Sequence, residues 1–212
     1  MPAEEVPRKQ TRAPGERSRA RIVNEAARLA TIEGIEGLSI GRLAAATGTA
    51  KSSVYALFGS KEELQLATIR AARDSFIVEV VTPALRATVP GGDRLLALCD
   101  GFLSYVERRI FPGGCFFVAA SAEVGARPGR VHDEVARIQQ QWRDLLEREA
   151  TRAVEHGELP PGTDPAQVAF EVGVILAGTN IVSVLHDDPA VVSRARTAVR
   201  SRLSDPSDVA PG

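Results

Sequence analysis

A chain of 212 residues, 44% apolar and 25% charged, has the balance of a soluble globular protein and enough length for one large or two modest domains. Its net charge of −1 excludes a molecule that is basic overall, its two cysteines do not make a disulfide framework, and no apolar signal segment lies near Met1, so a reduced cytoplasmic setting is expected. The charge is unevenly placed, with 10 Lys and Arg against 6 Asp and Glu over residues 1–61, and 16 against 21 in the remainder. A basic front on an acidic back fits a DNA-reading head on a body kept off phosphate, with ordinary solvated charge as the plainer alternative.

Between clusters of Gly and Pro the apolar residues recur at three and four positions, which predicts an all-α fold of about nine helices. Residues 1–15 are polar, contain three prolines and carry Arg8, Lys9 and Arg12. They read as a disordered basic arm, either a solvated tail or a segment reaching the minor groove or phosphates. A first helix is expected from about Glu16 to Glu33, with Ile22, Val23, Ala26, Ala27, Leu29 and Ala30 as its inner stripe. Ser39 can cap a short second helix, with Ile40, Leu43 and Ala44 inward, which Gly48 breaks. A third runs from about Ala50 to Leu57, with Val54 and Leu57 inward and Lys51, Ser52 and Ser53 outward. Two short helices crossing at a glycine turn have helix-turn-helix geometry. Ser60 and Glu63 are spaced as a capping box, starting a fourth helix at Lys61 that continues through Leu66, Ile69, Phe76 and Val80 towards Pro83.

In the body, a helix capped by Asp93 is expected to end near Pro112 and Gly113, followed by a short one over about Cys115 to Val124. A long helix leads from the Arg127, Pro128, Gly129 break to Gly157. Asp164, Pro165 and Gln167 then supply cap, first-turn proline and capping-box partner for a helix reaching about Leu185. Asp188 and Pro189 start the last helix, which ends near Leu203 before a disordered tail over 205–212. The helix after Asp164 is apolar nearly all round. A membrane span is the rival reading, but its uncharged run from Val172 to His186 falls short of the ~18–20 residues a bilayer needs, so burial in an interface and no membrane partner are expected. Cys99 and Cys115 read as buried inert thiols rather than a redox pair. His132, His156 and His186 are scattered without ligand spacing, so neither a metal nor a cofactor is expected.

Within Leu38–Leu64, Ala44 allows close approach of the two short helices, Gly48 permits the turn and Val54 locks the second helix down. Together with the preceding RIVNEAARL, the TGTAKSSVYALF core and the FGSKEEL run, these features resemble the TetR family of one-component bacterial regulators over roughly Ser18 to Ala72. The resemblance implies a three-helix DNA-binding domain over 16–60 and a helical effector-binding and dimerisation domain over 61–204. It further implies a homodimeric repressor that binds a palindromic double-stranded DNA operator and is released by a small apolar or aromatic effector.

Tyr55 and Lys61 stand where the family has its phosphate-binding tyrosine and lysine. Ser39 and Arg42 open the helix that lies across the DNA backbone and are further phosphate candidates, although Arg42 reads equally as a solvated arginine. Base reading falls to Thr49, Lys51, Ser52 and Ser53. The family often has serine where this chain has Ala50, so Thr49 either caps the recognition helix or reads bases. Phe102, Tyr105, Phe116, Phe117, Trp142 and Phe170 are either plain core or the lining of an effector pocket. Gly173, Ala177 and Gly178 allow tight backbone approach, at a dimer interface or within one subunit. A helical enzyme fares badly, because no Ser/His/Asp set, metal cluster, phosphate loop or paired-carboxylate signature is present. The stronger alternative is a helix-turn-helix regulator with no small-molecule effector, controlled by a partner protein.

Overall fold

The computed structural model describes residues 14–188 and 190–204. The expected tail over 205–212, the arm over 1–15 save its last two residues, and Pro189 lie outside them. The helices are α1 (Pro14–Glu33), α2 (Ile40–Thr47), α3 (Lys51–Phe58), α4 (Lys61–Phe76), α5 (Thr82–Ala87), α6 (Gly92–Glu107), α7 (Phe116–Val124), α8 (Arg130–Glu155), α9 (Pro165–His186) and α10 (Ala190–Leu203). A π-helical turn, Ile77–Val81, joins α4 to α5 without a break, so the described residues form nine helical rods and no strand.

The head is built on the α1 stripe. Ile22 and Ala26 are fully buried with Leu38, Leu43, Val54 and Leu64; α2 and α4 pack on α1, and α3 is held between α2 and α4. The Ser39 hydroxyl accepts from the Arg42 N–H at 3.1 Å, and Gly48, at φ 61°, closes α2 in the left-handed conformation that glycine adopts without penalty. Ser60 caps α4 by accepting from the Glu63 N–H at 3.1 Å. The reciprocal half of that capping box is replaced by an ion pair, because the Glu63 carboxylate takes Arg130 of α8 at 2.8 Å. In α3 the second deeply buried residue is Phe58, four positions after Val54, while Leu57 is only half-buried.

Three helix boundaries depart from expectation. The fourth rod passes through Pro83: the preceding turn widens until the Thr82 N–H donates to the Ile77 carbonyl, which accommodates a residue lacking an N–H of its own. Asp93 does not cap α6. Instead Gly91, at φ 116°, donates its N–H to Glu149 Oε2 at 3.1 Å, and the Gly92 N–H donates to Glu158 Oε2 at 2.6 Å. The φ of Gly91 favours glycine, and a Cβ there would lie 2.6 Å from the Glu158 carboxylate and displace it from the Gly92 N–H. That helix also stops at Glu107, because Arg109 turns left-handed at φ 51° and fastens the turn to the end of α9 through the Ser183 carbonyl and Asp187.

Asp164 caps α9 through the Ala166 N–H at 3.0 Å, but Gln167 turns away to Glu171. The uncharged-run reading of α9 is corrected. One charge at Glu171 does not shorten the apolar stretch: the helix has 22 residues, and an 18-residue window within it has a mean hydropathy of 1.9, so it is long and apolar enough to cross a bilayer by length and composition. Packing is what distinguishes it. Val168, Val172, Leu176, Thr179, Asn180 and Ser183 are buried against α6, α7, α8 and α10, and Glu171 pairs with Arg202. Phe170, Val174, Ile181, Val182 and Leu185 form an exposed face.

Candidate functional site

At about 100° per residue, α3 turns Ser52 and Ser53 away from buried Val54 and Phe58, with Ala56 between them at the centre of the outward face. Lys51 and Tyr55 lie together on one flank, and Tyr55 is 59% exposed. Ala56 was passed over in the sequence because an alanine carries no polar signal, yet its methyl is suited to a thymine methyl. No side chain caps α3, since Ala50 occupies the cap position. Thr49 does not substitute for it: its hydroxyl accepts from Arg21 at 3.2 Å and from the Thr47 hydroxyl at 3.1 Å.

Two of the cationic candidates, Arg42 and Lys61, are held by acidic residues. Arg42 donates through Nε to both oxygens of Glu33, at 2.9 and 3.0 Å, which lowers the Glu33 pKa and raises that of Arg42. Lys61 Nζ donates to the Glu36 carbonyl at 2.7 Å and lies 3.4 Å from its carboxylate. Lys61 and Arg42 therefore flank α3 with their ammonium and guanidinium already oriented, and a phosphate would compete with Glu36 and Glu33 for them.

The loop carrying Glu36 is fastened to the body. Glu123 of α7 accepts from the Ile35 N–H at 2.7 Å and the Glu36 N–H at 2.9 Å, and Gln65 donates to the Ile35 carbonyl at 3.0 Å. The Gly113 N–H donates to Thr31, and Arg130 bridges Glu62 and Glu63. Glu123 was not singled out from the sequence. Its signal is that it is the one charged residue of an otherwise uncharged helix, FFVAASAEV.

A cavity of about 390 Å³ opens in the body between α4, α6, α7, α8 and α9. Phe76 lines it and is the hub of its aromatic cluster, edge-on to Phe102, Phe117 and Trp142 with centroids 6.1, 6.5 and 5.1 Å away, and Trp142 stacks on Phe102 at 6.3 Å. Ile77 and Val81 of the π-helical turn form part of the wall, as do Phe170, Gly173, Val174 and Ala177 of α9. Of the six aromatic candidates, Phe102, Phe117, Trp142 and Phe170 line this space. Tyr105 and Phe116 stand behind it, each 1% exposed, against Phe76 and Phe117 respectively. Phe76 is a lining residue the sequence assigned only to the packing stripe of the fourth helix.

Residues 22–68 match the family described as bacterial regulatory proteins, tetR family, and residues 91–199 match the tetracyclin repressor-like C-terminal domain. No curated protein matches the chain. Among solved structures, the chain is similar to a TetR transcriptional regulator from Chloroflexus aurantiacus J-10-FL, with 26% identity, a TM-score of 0.77, and coverage of 88% of this chain and 94% of that one. A TetR-family regulator from Streptomyces coelicolor shares the fold at 23% identity and TM-score 0.74, over 92% of this chain and 97% of its own. So does AibR, solved with isovaleryl coenzyme A and operator DNA, at 22% identity and TM-score 0.67, over 87% of this chain and 97% of its own. With both its head and its body matched, the chain belongs to the TetR family and is a DNA-binding transcriptional regulator, not an enzyme.

Proposed function

We propose that this regulator is a ligand-responsive repressor, acting in the cytoplasm as a homodimer on a palindromic operator, with a DNA-binding head over 16–60 and an effector and dimerisation body over 61–204. The observation that carries the ligand half is the cavity, because its wall includes Ile77 and Val81 of the rod whose other end presents Lys61. AibR, which shares this fold, was solved with both an acyl thioester and operator DNA, and that supports one molecule handling both.

Tyr55, Lys61, Ser39 and Arg42 contact phosphates, and Lys51, Ser52 and Ser53 read base edges. Thr49, occupied by Arg21 and Thr47, supports the turn in the free protein. Phe102, Phe117, Trp142 and Phe170 contact a small apolar or aromatic effector, with Tyr105 and Phe116 holding the lining in place. The exposed face of α9, open around Gly173 and Gly178, packs with α10 on its two-fold mate. Two heads then meet successive major grooves, ~34 Å apart. An effector that favours another setting of the rod shifts the dimer towards a spacing that no longer fits.

A thermal-shift screen followed by operator titration tests this. The effector raises the melting temperature and weakens operator binding together. Compounds that stabilise the protein through the cavity yet leave operator affinity unchanged contradict the reading.

A further inference from the structure

The polar groups around the cavity are not mixed in sign. Arg73 of α4 and Arg143 of α8 line it together with Gln139 and Gln141, and among the described residues no Asp or Glu does. This is selective in a chain that holds 27 acidic residues against 26 basic ones. Arg73 is half-buried and donates to Asp74 at 2.7 Å, while the Asp74 side chain is itself 64% exposed and outside the lining. Arg143 is exposed and donates to the amide oxygen of Gln140, and among the described residues no carboxylate pairs with it. The interior beyond these groups is Phe76, Phe102, Phe117 and Trp142, which offer faces and edges but no charge. A lipophilic cation placed here would set its charge beside two guanidiniums, while the carboxylate that pairs with Arg73, Asp74, stays outside the lining. A ligand with an apolar body and one anionic end would bury the body among the rings and place the anion where charge-assisted hydrogen bonds from Arg73 and Arg143 can reach it.

We propose that the effector of this cavity is an amphipathic anion, an apolar or aromatic body ending in a carboxylate or phosphate that Arg73 and Arg143 receive at the mouth. This deepens, and rests on, the assignment of the cavity as the effector site. It also makes Arg73 a reporter to the rod, since it lies one turn before the π-helical segment and exchanges Asp74 for the ligand when the site fills.

Trp142 is the only tryptophan of the chain and lines the cavity, so its emission reports occupancy directly. The full-length protein is titrated with decanoate, decyl phosphate and decan-1-ol, which share an alkyl body and differ at one end. At low salt at least one of the two anions binds ten-fold or more tighter than the alcohol, and the tighter anion identifies the head group. In the Arg73→Gln, Arg143→Gln double variant that preference disappears because the anions fall to the affinity of decan-1-ol, while decan-1-ol still perturbs Trp142 emission, which shows that the cavity is intact. Equal binding of all three probes, or a preference that survives in the double variant, overturns the anionic assignment and leaves the cavity as an effector site. If no probe perturbs Trp142, the effector-site assignment falls and this inference with it.

Discussion

Ala50 opens the recognition helix in extended conformation, φ −60° and ψ 138°, with no side-chain acceptor for the free N–H groups of the first turn. Ala50→Ser supplies that acceptor and is expected to stabilise the fold by about 1 kcal/mol, read as a higher denaturant midpoint with unchanged slope. At the other extreme of burial, desolvation pushes the Cys99 thiol up to about 12 and the Cys115 thiol up to about 11. Both therefore stay protonated at neutral pH, where the thiolate is the reactive form. A disulfide exchange reagent should titrate neither in the native protein and both after unfolding; fast native reaction of either would contradict their burial. The outward residues of α3 were legible in the sequence, because Val54 fixes which side of a short helix faces in. The partners of Arg42 and Lys61 were not, since Glu33 and Glu36 are brought to them by the fold across 9 and 25 positions.

Among the elements, α7 joins cavity to head. Phe117 and Val118 line the cavity, while Glu123, nearer the other end of the helix, accepts two N–H groups of the loop that positions Lys61. Glu123→Ala leaves those donors without a protein acceptor and is expected to cost about 1–3 kcal/mol, measured by chemical denaturation, with weaker operator binding as the Glu36 loop loosens. Stability and operator affinity both equal to wild type would show that the Glu123 contacts do not hold the head. Element order and most starts were readable from glycine, proline and cap residues. The cap of α6 was not, because its acceptors, Glu149 and Glu158, lie 58 and 66 residues away, and the passage of the rod through Pro83 depends on a local π register that periodicity does not report. The fate of α9 was likewise a question of packing and not of length, since its composition alone suits both a bilayer and an interface.

For the whole molecule, two apolar features meet on α9. Phe170 and Val174 belong both to the exposed face and to the cavity wall, so assembly and effector binding share side chains. Ile181→Lys, placed on the exposed face away from the cavity, is expected to shift the protein from dimer to monomer by sedimentation velocity and to lower operator affinity with it. A variant that stays dimeric with full affinity would place the interface elsewhere. The head's chemistry was legible because its motif spacing is dense in information. The cavity was only half legible, because aromatic residues on helix faces read alike whether they line a space or fill it.

The central claim, sequence-specific DNA binding through α3 and Lys61, is tested most directly by fluorescence anisotropy of full-length protein on a palindromic duplex selected from a random library, beside a scrambled duplex, over a range of salt. The selected duplex is expected to bind at least ~10³-fold tighter than the scrambled one, and Lys61→Gln to weaken both while reducing the salt slope by about two, one for each subunit of the dimer. Equal affinity for the two duplexes, or a Lys61→Gln slope identical to wild type, would contradict it.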